Sequence, residues 1–187
     1  MNAAHMEFCA SPEWRRIVQD TILPGALSDT NLGADVIEIG PGPGFTTDVL
    51  RTVTTHLTAV ELDVGLATSL ATRLSGTNVD VVVGDATSLD FPANRFTGAA
   101  SFHMLHHIAT ADDQDRAFAE LRRVLAPGGE LVAADGVFNE ATLAFHEDDI
   151  YNPIDPDRLE DRLVAVGFTS VEIRLHDLGW MCTALAS

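Results

Sequence analysis

Residues 36–46, Val36-Ile37-Glu38-Ile39-Gly40-Pro41-Gly42-Pro43-Gly44-Phe45-Thr46, carry an apolar run into a glycine-proline turn and out into a helical pattern. Val and Ile on both sides of a single acid mark a strand buried on both faces. The alternating glycines let the chain turn sharply and let a ligand approach the backbone closely. A strand, a glycine-rich turn and a helix from about Phe45 form the opening unit of a doubly wound α/β sheet.

The pattern repeats outward. Strands are expected over 34–39, 56–61, 78–83, 97–102 and 130–135, all rich in Val, Ile and Ala with little polar alternation. Between them, Leu66, Leu70 and Leu74 recur at helical spacing, as do Ala117, Leu121, Val124 and Leu125. Pro127-Gly128-Gly129 is expected to stop the latter helix. Asp155-Pro156 reads as an N-cap with proline in the first turn, and Gly167 ends that helix. Strands over 170–176 and 180–186, joined by a turn at Gly179, are antiparallel neighbours. The expectation is a doubly wound, seven-stranded, mostly parallel α/β sheet with an antiparallel C-terminal pair. Residues 1–187 read as one domain. Residues 12–23 read as a helix packed on the sheet, and the segment before it, within 1–31, as a lid candidate. Residues 137–153 form the least regular stretch, expected to shape a substrate loop.

Composition narrows the function classes. The chain has 28 Asp and Glu against 11 basic residues, a net charge of −17, and every basic residue is Arg. Such a surface repels a nucleic-acid backbone or an anionic membrane. No apolar stretch approaches a bilayer span, and the N-terminus lacks a signal-peptide layout. Cys9 and Cys182 form no ligand-spaced cluster and read as reduced thiols, so a cytoplasmic protein is expected.

The glycine loop departs from two familiar patterns. The dinucleotide fingerprint needs glycine where Phe45 stands, and Glu38 would repel a pyrophosphate. A phosphate-binding P-loop needs a lysine, and the chain has none. Glu38 suits a cationic group instead. Glu61, some twenty residues past Gly40, ends the second strand, where a carboxylate can accept two ribose hydroxyls. Asp63 reads as a helix N-cap. Asp85 closes the third strand.

The E-x-G-x-G-x-G run, with acids at three consecutive strand ends, resembles the class I S-adenosylmethionine-dependent methyltransferases. The resemblance implies S-adenosyl-L-methionine as cofactor, with Asp85 accepting from the adenine amino group and the Ala86 amide reaching the ring. It implies a cofactor site of Glu38, Gly40, Pro41, Gly42, Gly44, Thr46, Glu61, Leu62, Asp85, Ala86, Ser101 and Phe102. The loop and Ala59-Val60-Glu61-Leu62-Asp63 also look much like the ribosomal-RNA adenine dimethyltransferases. Those carry an NLPY-like motif after strand four; here Ser101-Phe102-His103-Met104 stands instead, and the charge is wrong for RNA.

Leu105-His106-His107 is similar to small-molecule methyltransferases in which a histidine after strand four works with an aspartate ending strand five. The matching residues are His106 or His107 and Asp135, a carboxylate orienting an imidazole that takes a hydroxyl proton. His103 lies nearer the strand. His146, Asp148, Asp149 and Asp135 contain metal-ligand types. The metal-dependent members place an aspartate at the end of strand four, which this chain lacks, so no metal is expected. The expected function is O-methylation of a small-molecule acceptor, without nucleic-acid or membrane partners. The rivals are a non-catalytic cofactor-binding partner module and a nicotinamide-dependent oxidoreductase, the latter disfavoured by Phe45.

Overall fold

The computed structural model describes residues 2–187, and the run that ends at Gly40 is a central strand, β1 (Asp35–Ile39). It pairs in parallel with β2 (His56–Glu61) on one side and β4 (Phe96–Phe102) on the other. β3 (Val79–Val83) lies beyond β2, and β5 (Leu125–Asp135) beyond β4, both parallel. β7 (Gly179–Ala186) runs antiparallel to β5 and to the edge strand β6 (Phe168–His176), giving the order β3-β2-β1-β4-β5-β7-β6. The seven-stranded, mostly parallel sheet with its antiparallel pair is the architecture expected from the periodicity.

The helices are α1 (Ala3–Cys9), α2 (Pro12–Ile17), α3 (Leu23–Leu27), α4 (Phe45–Val53), α5 (Val64–Arg73), α6 (Ala111–Val124), α7 (Glu140–Phe145) and α8 (Pro156–Ala165). β1, β2, β4, β5 and β7 feed both faces, because their side chains alternate. On β5, Leu131 and Ala133 join a core with Phe118, Leu121, Leu159 and Leu163, under α6 and α8. Val132 and Ala134 join the opposite core with Val18, Ile22, Leu23 and Leu50, under α4 and the N-terminal helices. Asp63 caps α5 by accepting the Leu66 amide, and Asp155 caps α8 ahead of Pro156.

Two boundaries differ from the sequence reading. The helix expected over 12–23 is broken by a π turn, Val18–Ile22, directly before α3. Pro24 can donate no amide and its ring would strike a carbonyl one α-turn back, so a wider turn is accommodated there. α6 ends at Val124, ahead of Pro127-Gly128-Gly129, and β5 begins at Leu125. The proline and glycines slip the register between Phe96 and Gly98 rather than separating helix from strand.

Candidate active site

The chain winds outward from β1 and β4 in opposite directions, so a crevice opens at their carboxyl ends. The glycine loop after β1 and the turn after β4 meet there. A Cβ on Gly40 (φ +66°) would collide with Met104, so glycine is what lets the loops touch. Gly42 (φ +52°) would point a Cβ into open space, leaving its backbone accessible to a ligand. Gly44 caps α4 in the left-handed conformation. A cavity of about 910 Å³ runs from this loop, past the ends of β2 and β3, to the histidines after β4, with α1 and α7 along its wall.

The three acids divide. Glu38 is fully buried and does not line the cavity; both its oxygens accept hydroxyls, from Thr46 and from Thr47 at 2.6 Å. Burial pushes its carboxyl up to about 7, against the two hydroxyl bonds, with Asp48 and Glu61 adding repulsion. Glu38 therefore braces the first turn of α4, and any action on a bound cation passes through Thr46, which does face the cavity. Glu61 lines the cavity while accepting the amides of Gly42 and Asp63, each at 3.0 Å. It locks the loop to the end of β2. Asp85 Oδ1 accepts the Thr87 amide and hydroxyl at 2.8 Å, turning the carboxylate beside Ala86 at the cavity edge. Pro41, Leu62 and Phe102 also line the cavity, whereas Gly44 and Ser101 stand behind it. Ser101 is buried, and its hydroxyl has no hydrogen-bond partner among the described residues.

At the other end, Leu105–His107 forms a 3-10 turn. Asp135, fully buried at the end of β5, accepts His106 Nδ1 at 2.5 Å and the His106 amide at 3.0 Å. Burial lowers the basicity of His106, but the Asp135 charge and hydrogen bond outweigh it and raise the ring above its ordinary value. Asp135 is correspondingly lowered by His106 in spite of its burial. His106 lines the cavity, and its Nε2 is buried with no hydrogen-bond partner among the described residues. Asp135 does not line the cavity and acts through His106. The His107 ring lies tilted against that of His106, ring centroids 4.2 Å apart, and burial plus neighbouring imidazoles push it down to about 3. His103 holds a left-handed backbone (φ +51°), with Trp14 edge-on at 5.0 Å. Burial pushes it down to about 4.

His5 and His146 complete this wall, and sequence reasoning did not join them to the pair after β4. His5 projects from α1 and His146 from the end of α7, their rings 4.3 Å apart. The signal available was weak: His5 lies in the segment read as a lid, and His146 in the irregular stretch after β5. Two of the carboxylates with metal-ligand chemistry near His146 serve other groups, and Asp149 also lies 3.4 Å from His5 Nδ1. Asp135 holds His106, and Asp149 accepts the Asn2 amide at 2.9 Å.

A family model described as a methyltransferase domain matches residues 37–133, just over half of the chain. The chain is 49% identical over 57 residues to a protein of Methanothermobacter thermautotrophicus named "Probable ribosomal RNA small subunit methyltransferase A", covering 30% of this chain and 21% of that one. It is 30% identical over 122 residues to the demethylmenaquinone methyltransferase of Renibacterium salmoninarum, covering 65% and 47% respectively. The chain thus spans about a fifth to a half of the length of these relatives. The crystal structure of a SAM-dependent methyltransferase from Aquifex aeolicus superposes over the full length of both chains, with a TM-score of 0.74 at 17% identity. Because that family model covers more than half of its length, the chain belongs to the methyltransferase-domain family.

Proposed function

We propose that this chain is an S-adenosylmethionine-dependent methyltransferase acting on a hydroxyl of a small-molecule acceptor. One observation carries the reading: a single cavity is lined by the glycine loop, Glu61, Asp85 and His106. The residues fit the cofactor. The open space over Gly42 admits a ligand against the backbone, and Asp85 Oδ2 takes no protein donor among the described residues. S-adenosylmethionine supplies a methyl group already activated on a sulfonium. What the chain must add is alignment of an acceptor and removal of its proton. Asp135 holds the His106 ring through Nδ1, so Nε2 is the nitrogen left to accept a hydroxyl proton, and the carboxylate stabilises the imidazolium that forms. His107 lacks such a carboxylate partner and is the weaker base.

The relatives include a protein named for ribosomal RNA and one named for a menaquinone precursor. The small acceptor is favoured here by the net charge of −17, the absence of lysine and the placement of α1 and α7 along the cavity wall. The test is methyl transfer from labelled S-adenosylmethionine across a panel of hydroxylated metabolites and quinone precursors, beside total RNA. Label in a small acceptor supports the reading. Label only in RNA, or a salt-sensitive RNA complex at low micromolar protein, overturns the acceptor class. Failure to bind the cofactor overturns the whole reading.

A further inference from the structure

Four imidazoles from three separate segments converge at the acceptor end of the cavity. His5 comes from α1, His106 and His107 from the turn after β4, and His146 from α7. One ring nitrogen of each lies within 4.8 Å of the others, and this is the group of potential metal ligands that gathers among the described residues. The ring centroids confirm a cluster rather than a row: His5 to His107 is 4.9 Å, His106 to His146 is 5.2 Å and His107 to His146 is 5.5 Å.

The tautomers are set for ligation. His146 Nδ1 is 2.7 Å from the Thr142 carbonyl, which can only accept, so Nδ1 carries the proton and Nε2 keeps its lone pair. His106 is oriented the same way by Asp135. A carbonyl or carboxylate behind the distal nitrogen is the outer support that metal-bound histidines use. Nε2 of both rings is buried with no hydrogen-bond partner among the described residues, an unfavourable state that a cation would relieve. His5 Nδ1 lies 3.4 Å from an Asp149 carboxylate oxygen, which sits behind that ring as Asp135 sits behind His106. Cys9 is close by, but burial pushes its thiol up to about 11, so it is no thiolate ligand at neutral pH.

We propose that His5, His106, His107 and His146 form a binding site for a divalent transition-metal cation of the zinc class, one that staples α1 and α7 to the turn after β4. A tetrahedral zinc shell with bonds of about 2.0–2.1 Å sets its nitrogens about 3.3 Å apart, so the observed cluster needs to contract modestly. Four imidazoles fill that shell and leave no open position, which is the pattern of a closed, structural site. The cation would occupy His106 Nε2, so metal and an acceptor hydroxyl compete for one atom. The site stands on its own geometry and does not require the methyl-transfer reading.

The full chain, stripped with a chelator and desalted, is titrated with Zn²⁺ and separately with Co²⁺. One equivalent should bind, the zinc should survive desalting, and cobalt should give the intense visible bands of tetrahedral coordination. His5→Ala and His146→Ala should each weaken zinc binding at least tenfold, while His176→Ala, on β6, should leave it unchanged. Circular dichroism and affinity for S-adenosylhomocysteine, read on every variant, separate lost ligands from lost fold. Absence of stoichiometric metal in a folded chain overturns the site. So does affinity that survives both His5→Ala and His146→Ala.

Discussion

Asp135 Oδ1 lies 2.5 Å from His106 Nδ1 while its Oδ2 accepts the His106 amide at 3.0 Å, so one buried carboxylate fixes both the ring and its backbone. An Asn at 135 can keep one acceptor but loses the charge that steadies an imidazolium. Asp135→Asn should therefore lower kcat by about 10²- to 10⁴-fold for a hydroxyl acceptor. Cofactor affinity should stay near the parent value, because Asp135 does not line the cavity. Steady-state kinetics beside calorimetry checks both halves, and unchanged kcat in a folded variant would remove the base from His106.

Glu61 has two tasks that can be separated. It faces the cavity and also holds the Gly42 and Asp63 amides. Glu61→Ala should weaken S-adenosylmethionine binding by about 1–3 kcal/mol and also lower the melting temperature, since two loop amides lose their acceptor. Asp85→Ala should weaken binding by a similar amount, about 1–3 kcal/mol, with a smaller thermal effect, because its carboxylate holds only the short turn at Thr87. Calorimetry with matched melting curves checks the contrast. Unchanged affinity in both variants would dismiss this end of the cavity as the cofactor site.

Much of this architecture was legible because it rests on local rules. Apolar runs buried on both faces fixed β1, β2 and β4 to within about a residue, and Asp63 and Asp155 announced their helices as caps. That Glu61, Asp85, Asp135 and the histidines after β4 gather at one edge was readable because consecutive strand ends on a doubly wound sheet converge there, while the choice between His106 and His107 was not. Glu38 was read as facing a cation, yet it lies behind the loop. Alternation along β1 cannot say which layer covers a residue, and Thr46 and Thr47 belong to the first turn of the next element. The joining of His5 with His146 was illegible for a stronger reason: residues 141 positions apart meet only through the docking of two short helices that no periodicity positions.

The glycine loop separates packing from ligand access. Gly40→Ala sets a Cβ into Met104 at φ +66°, so it should destabilise the fold by about 2 kcal/mol or more, combining strain with overpacking. Gly42→Ala meets no atom within 4 Å at φ +52°, and its cost to folding should be about 1 kcal/mol of backbone strain. Gly42 lines the cavity, so the added methyl group narrows the ligand's approach to its backbone and cofactor affinity should fall more than stability does. Urea melts and calorimetry on the two variants check the reversal of order.

Glu38 gives a pH signature whose sign follows from its burial. Its carboxyl is pushed from 4.5 to about 7 in the folded chain, chiefly by burial. Below the lower value it is protonated whether folded or unfolded and contributes no pH dependence. As pH rises towards the upper value, the unfolded chain releases the proton while the folded chain retains it, so the unfolded state binds fewer protons and stability falls. Above the upper value both states are ionised and the loss is complete, on the order of 3 kcal/mol for a shift of this size. Glu38→Gln keeps the shape and an acceptor for one threonine hydroxyl but cannot ionise. The stability difference, variant minus parent, should therefore grow in the variant's favour between about pH 5 and pH 7 and level off beyond, with the other titrating groups cancelling in the difference. Urea unfolding at four pH values from about 5 to 8 measures it. A difference that stays flat, or grows as pH falls, would mean that Glu38 is held ionised by its two threonines and that their hydroxyls outweigh its burial.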